Sequence, residues 1–181
     1  MIKKIINEHI LLSNTIFSEV INIKKIVTII KQTLKKRGVI YWIGNGGSAA
    51  DCQHLSAEFM VRFRKKRKPL KSISLTTDTS LITAHSNDFN FETVFTRQLE
   101  GLMTKKDLLI AISTSGESKN IVHACNFVKK KNFNAIAFLG NNGGRVGRLI
   151  KNKIVVKSQD TARVQEMHIL IGHIICSIID D

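Results

Sequence analysis

Five short apolar runs, each closed by turn residues, constrain this chain more than any other feature it has. They are Val39–Ile43, Ser72–Thr77, Leu108–Ser113, Ala135–Leu139 and Lys153–Val156. Runs of this length bounded by Gly, Asn and Ser read as strands buried on both faces. Stretches with apolar residues at helical spacing separate or follow them, at about 48–64, 79–85, 91–102, 118–130 and 161–179. Strand–helix alternation of this kind implies right-handed crossovers and a parallel sheet covered on both sides, so the expected fold is a single doubly wound α/β domain.

Both ends of the chain are predicted to be helical. Ile16, Val20, Ile23, Val27 and Ile30 keep helical spacing within a segment from about Ile2 to Lys36, which Ser13-Asn14 divides in two. In the final helix Met167, Leu170, Ile171, Ile174, Ile175 and Ile178 form a stripe, while Ile169 and Cys176 lie outside it. A helix apolar around most of its circumference is a buried one. At the end of a small domain a second subunit is the expected cover.

Twenty-eight Lys and Arg against fourteen Asp and Glu give a net charge of +14. The basic residues are spread along the chain, aromatics are only 6% and no nucleic-acid-binding motif accompanies them, so a nucleic-acid partner is not expected. The densest run, Arg62–Lys68, reads as a solvated helix end, with attraction of an anionic ligand as its second reading. Cys52, Cys125 and Cys176 form no CxxC pair and fit a reduced, cytoplasmic protein. No uninterrupted apolar run reaches the roughly 18 residues of a membrane span, and the first residues do not read as a signal peptide.

Two strand ends have the composition of phosphate sites. Gly44-Asn45-Gly46-Gly47-Ser48 and Ser113-Thr114-Ser115-Gly116-Glu117-Ser118 each lie between a predicted strand and a helix. Open parallel sheets bind ligands at such positions, and helix N-termini offer free amides to anions. An N-cap with a tight turn is the simpler alternative, but one Ser and one Gly would satisfy it. No Lys follows the glycines, which excludes a P-loop. Gly44, Gly46 and Ala49 satisfy a dinucleotide fingerprint, yet Asp78 is too distant to be its ribose-binding acid.

His54 and Glu58 share one face of the helix after the first turn. They can be an acid/base couple, half of a zinc site or an ordinary surface pair. In the last helix His173, flanked by Gly172 and Ile174-Ile175, is expected to be buried, a setting more typical of a core residue than of a catalyst.

Taken together, Gly44–Glu58, Thr76–Ser80, Asn87–Phe89, Ser113–Ser118 and Arg163–His168 resemble the bacterial phosphoheptose isomerases of the SIS (sugar isomerase) fold in order and spacing. The resemblance covers nearly the whole chain. It implies a single SIS domain over 1–181: a three-layer α/β/α sandwich with a five-stranded parallel sheet and long terminal helices. The segment of about 1–36 would pack on this core and on neighbouring subunits. A homotetramer with sites between subunits is implied, as is interconversion of sedoheptulose 7-phosphate with glycero-manno-heptose 7-phosphate.

By position, Ser113, Thr114, Ser115 and Ser118 would hold the phosphate with Ser48 assisting, and Asn45, Gly46, Gly47, Asn87 and Asp88 would line the sugar. Glu58 and Gln165 would also meet substrate. His54, Glu58, Gln165 and His173 would be ligands of one zinc ion per subunit, and Glu58 and His173 the acid/base pair. Two departures stand out. Glu117 occupies a position where Asn is common, and Ala162 replaces an acid that some members carry. Gln165 and His173 are also about 12 Å apart along one helix and offset by roughly 80°, so a shared ion implies helices from different subunits or a bend. The competing reading is a non-catalytic SIS protein that binds a replication initiator or another partner. A regulatory sugar-phosphate sensor would need a DNA-binding domain for which 181 residues leave no room.

Overall fold

A computed structural model describes all residues, 1–181. Two helices open the chain, α1 (Ile2–Thr15) and α2 (Val20–Lys35), joined by a 3-10 turn over Ile16–Glu19. The core follows as β1 (Ile40–Ile43), α3 (Gly47–Met60), β2 (Ser72–Ser74), α4 (Thr79–Asp88), α5 (Val94–Leu102) and β3 (Leu108–Ser113). It continues with α6 (Lys119–Lys130), β4 (Asn134–Gly140), α7 (Gly144–Leu149), β5 (Asn152–Val156) and α8 (Thr161–Asp180). All strand pairs are parallel, in the order β2-β1-β3-β4-β5. The expected doubly wound α/β sandwich is therefore observed.

The two-residue period of the strands sorts their side chains into two layers. Leu108, Ile110 and Ile112 face α2, α3 and α8, together with Trp42, Ile136 and Phe138. Leu109 and Ala111 face α5, α6 and α7, together with Tyr41, Ile43 and Leu139. Burying both faces explains why these strands are continuous apolar runs rather than alternating ones. Trp42 Nε1 donates to Ser72 Oγ at 2.8 Å, so the one indole of the core has its polar atom satisfied.

Three expectations are corrected. The helix expected to run to Arg64 ends at Met60, because the backbone amides of Arg64 and Lys65 turn to the Asp180 carboxylate (2.7 and 3.0 Å). The strand expected to reach Thr77 stops at Ser74, whose carbonyl instead accepts from the Thr77 hydroxyl. Helix α7 lies in a segment given no element from sequence, being short and glycine-rich. By length and mean hydropathy α8 could cross a bilayer. Here it packs along α3 and the sheet, with Val164, Met167, Ile171 and Ile175 in the core.

Candidate functional site at the topological switch point

Chain order reverses between β1 and β3: the chain leaves β1 toward β2 and returns on the other side at β3. Their carboxyl ends are adjacent, with Ile43 beside Ala111. The two turns singled out from sequence start there. Asn45 and Asn120 bridge them by reciprocal amide bonds, each side chain donating to the other at 2.9 Å. Asn120 is buried in the first turn of α6, and no sequence signal marked it.

In the first turn Gly46 has φ +54°, a conformation that favours glycine. A Cβ on Gly47 would lie 2.4 Å from Gln165 Nε2, so the α8 carboxamide rests directly on this turn. Ser48 is buried at the start of α3. In the second turn Ser113 Oγ accepts from the Gly116 amide (3.0 Å) and Ser115 Oγ from the Glu117 amide (3.1 Å). A hydroxyl that accepts one bond keeps its own proton to donate. These two therefore remain donors for an anion, and Thr114 and Ser118 add two more.

Glu117 does not point its charge at this turn. Its carboxylate accepts from the Arg145 backbone amide (2.8 Å) and from Arg145 Nε (2.8 Å) at the start of α7. The Arg145 hydrogen bond holds its carboxyl below the usual range. Gly116, at φ +66°, permits the approach: a Cβ there would meet the Gly143 carbonyl at 2.1 Å. The second departure is not compensated. Asp160, two residues before Ala162, is occupied as the N-cap of α8, accepting from the Ala162 and Arg163 amides.

The packing of α3 on α8 brings the titratable residues together. His54 Nε2 lies 2.9 Å from His173 Nε2 and 3.4 Å from Glu58 Oε1. His173 is half-buried rather than fully buried as expected, and stacks on Phe63 at 5.4 Å between ring centroids. Burial, followed by the neighbouring His54, pushes its pKa down; Glu58 opposes this in part. The imidazole is thus neutral at pH 7.

Two imidazoles and a carboxylate are a zinc donor set, and ligands around a tetrahedral zinc stand roughly 3.3 Å apart. The His54–Glu58 spacing is near that figure, but the two imidazoles stand closer, at hydrogen-bond distance, and no three His, Cys, Asp or Glu side chains of one chain enclose a common ion position. Gln165 is not among them in this chain, being held at Gly47. Asn87 and Asp88 close α4, exposed and bonded to each other (2.9 Å) rather than to either turn. The segment after them is tied to α6 by Lys119–Glu92 at 2.7 Å.

With this geometry in hand, comparison with known proteins is specific. Residues 8–140 match the SIS domain family. A phosphoheptose isomerase from a Nitratiruptor species is 53% identical over 150 residues, which cover 83% of this chain and 80% of that protein. Phosphoheptose isomerase 1 of Campylobacter jejuni is 50% identical over 88% of this chain and 86% of its own length. Among solved structures, the phosphoheptose isomerase of Neisseria gonorrhoeae superposes with a TM-score of 0.93 at 35% identity, covering 99% of this chain and 96% of that one.

Proposed function

The chain belongs to the phosphoheptose isomerase family of SIS-domain proteins, and from that membership we propose that it interconverts D-sedoheptulose 7-phosphate and D-glycero-D-manno-heptose 7-phosphate. One observation carries this reading. A helix contact sets His173 against His54, one turn from Glu58, on the helix that grows out of the first phosphate turn. No feature of the site favours the partner-binding alternative over catalysis.

The reaction moves one proton between neighbouring carbons and one between their oxygens. A base takes a proton from C1 of the ketose, giving an enediol, and the proton returns at C2. Glu58 and His173 make these transfers. His173 is in its proton-accepting form because burial and His54 disfavour its cation. The hydroxyls of Ser113, Thr114, Ser115 and Ser118 and the amides starting α6 hold the phosphate. Ser48 assists them, while Asn45, Gly46, Gly47, Asn87, Asp88 and Gln165 line the sugar. His54, Glu58 and His173, which enclose no common ion position within one chain, would hold a zinc ion only in the assembled protein, where it would supply Lewis-acid polarisation of the sugar oxygens. Gln165 joins them only where a second copy brings its α8 to the site.

That arrangement is a homotetramer with sites between subunits, supported by the apolar faces that α1, α2 and the turn between them leave open. Ile2, Phe17 and Ile21 are 75%, 78% and 80% exposed. The setting is the cytoplasm, where three buried free cysteines are stable. The product would feed heptose precursors of lipopolysaccharide or another surface polysaccharide.

The test is turnover of sedoheptulose 7-phosphate by the purified protein, with and without zinc, beside Glu58→Gln and His173→Gln. Each variant is expected to lose roughly 10²- to 10⁴-fold in kcat. No turnover by zinc-loaded, assembled wild type would overturn the reading.

A further inference from the structure

The basic run Arg62–Lys68 has no role in the reaction described above, and one of its members is not solvated. Arg67 has an 18% exposed side chain, and all three guanidinium nitrogens are engaged. Nε donates to Asp180 Oδ1 (2.6 Å), Nη2 to the Glu58 carbonyl (2.7 Å) and Nη1 to the Phe59 carbonyl (2.8 Å). Asp180, with a side chain 2% exposed, uses its second oxygen to accept the Arg64 and Lys65 amides.

We propose that Arg67 and Asp180 clamp the carboxyl end of α3 to that of α8 and so fix where Glu58 stands relative to His173. They are positioning residues, and the proposal rests on the isomerase reading of the site. The last carbonyls of a helix lack partners within it. On α3 the Glu58 and Phe59 carbonyls find theirs in one guanidinium, and Glu58 belongs to the acid/base pair. On α8 the anchor is Asp180, two turns beyond His173. A cation at two helix carboxyl ends suits both dipoles. Only a planar fork with several fixed donors reaches two carbonyls and a carboxylate at once, which a lysine ammonium cannot do in the same geometry.

The experiment measures kcat and KM for sedoheptulose 7-phosphate in the full-length, zinc-loaded wild type, Arg67→Gln, Arg67→Lys, Asp180→Asn and the Arg67→Gln/Asp180→Asn double variant. Amide hydrogen exchange is followed in the same proteins. A displacement on the order of 1 Å costs up to about 100-fold in rate. The expected result is a fall in kcat of about 10- to 100-fold with KM within about threefold, since the phosphate turns hang on β1 and β3. The double variant should match the worse single variant, because the pair acts as a unit. The amides of Arg64, Lys65 and Leu70 should exchange faster. Should Arg67→Gln fail to fold, Arg67→Lys and Asp180→Asn carry the same readouts. An unchanged kcat in a folded Arg67→Lys or Asp180→Asn, or equal losses in kcat and stability with exchange unchanged, overturns the clamp. Absence of turnover in wild type would instead overturn the isomerase reading, and the exchange rates would still decide whether the clamp exists.

Discussion

The carboxylate of Glu117 shows how a residue that reads as a defect is neutralised by its neighbours. Arg145 stands 28 positions away, so nothing local to Glu117 announces the pair. Both side chains are about half exposed, so solvent screening keeps the interaction weak. Replacing Arg145 by Ala should therefore raise KM for the sugar phosphate only about two- to fivefold, by freeing a negative charge beside the phosphate turn. Adding Glu117→Asn should restore it, and steady-state kinetics on the two variants would show this. His168 carries a different prediction. It is fully buried with neither ring nitrogen hydrogen-bonded, and desolvation, opposed weakly by the Leu139 carbonyl, lowers its pKa from 6.5 to about 4. Below pH 6.5 the unfolded chain binds a proton here that the folded chain refuses. Stability at this site is thus complete above pH 6.5 and falls as pH drops toward 4, by about 1.4 kcal/mol per pH unit at most. Urea titrations of wild type and His168→Leu between pH 4 and 7 should show the slope reduced in the variant. The serine turn and the His54/Glu58 pair beside the first turn were legible from residue type and placement, whereas His173 alone read as a core residue and gained its role only through the family resemblance. Asn120, Arg145 and Arg67 were not legible, since their partners lie 75, 28 and 113 residues away.

At the scale of elements, the crossing of α3 over α8 decides whether the candidate acid/base pair exists at all. Gly172 makes that crossing close: a Cβ would stand 2.5 Å from Leu55 Cδ2, in a core where Leu55 is fully buried. Gly172→Ala should destabilise by about 1–3 kcal/mol through overpacking. It should also lower kcat, because the adjacent His173 moves with its helix. Thermal unfolding and turnover on the same preparation test both effects. A second element junction rests on Asp107, whose carboxylate accepts from the Val39 amide (2.7 Å), the Thr104 amide (2.7 Å) and the Thr104 hydroxyl (2.8 Å). Asp107→Ala strands a part-buried backbone amide next to β1 and should cost roughly 1–3 kcal/mol in chemical denaturation. Strands and long helices were legible because period and length carry their signal. Element ends were not: α3 stops at Met60 because of Asp180, far away in sequence, and α7 is too short to show a period.

Across the whole molecule, the helical N-terminus is the part least explained by one chain. No residue of α1 is buried. It is moored to α8 by polar contacts, His9 to Glu166 at 2.7 Å and Glu166 in turn to Arg163 at 2.6 Å. Beside it a cavity of about 550 Å³ opens between Ile16, Phe17, Val20, Leu170, Ile174 and Ile178. In the proposed tetramer this face is covered, so the wild type should scatter light as four copies and Phe17→Asp with Ile21→Asp should shift that mass toward one or two. Activity should fall with it if Gln165 must come from a neighbour. The sequence by itself determined the α/β class, the order of its strands and helices and the two turns suited to phosphate, because those follow from local period and composition. Tertiary structure alone decided that the two turns meet at one switch point, that His173 reaches His54 beside Glu58 while Gln165 rests on Gly47, and that Glu117 and Arg67 are engaged by distant partners. Such contacts arise from the packing of helices on a common sheet, and no local rule relates residues that only this packing makes neighbours.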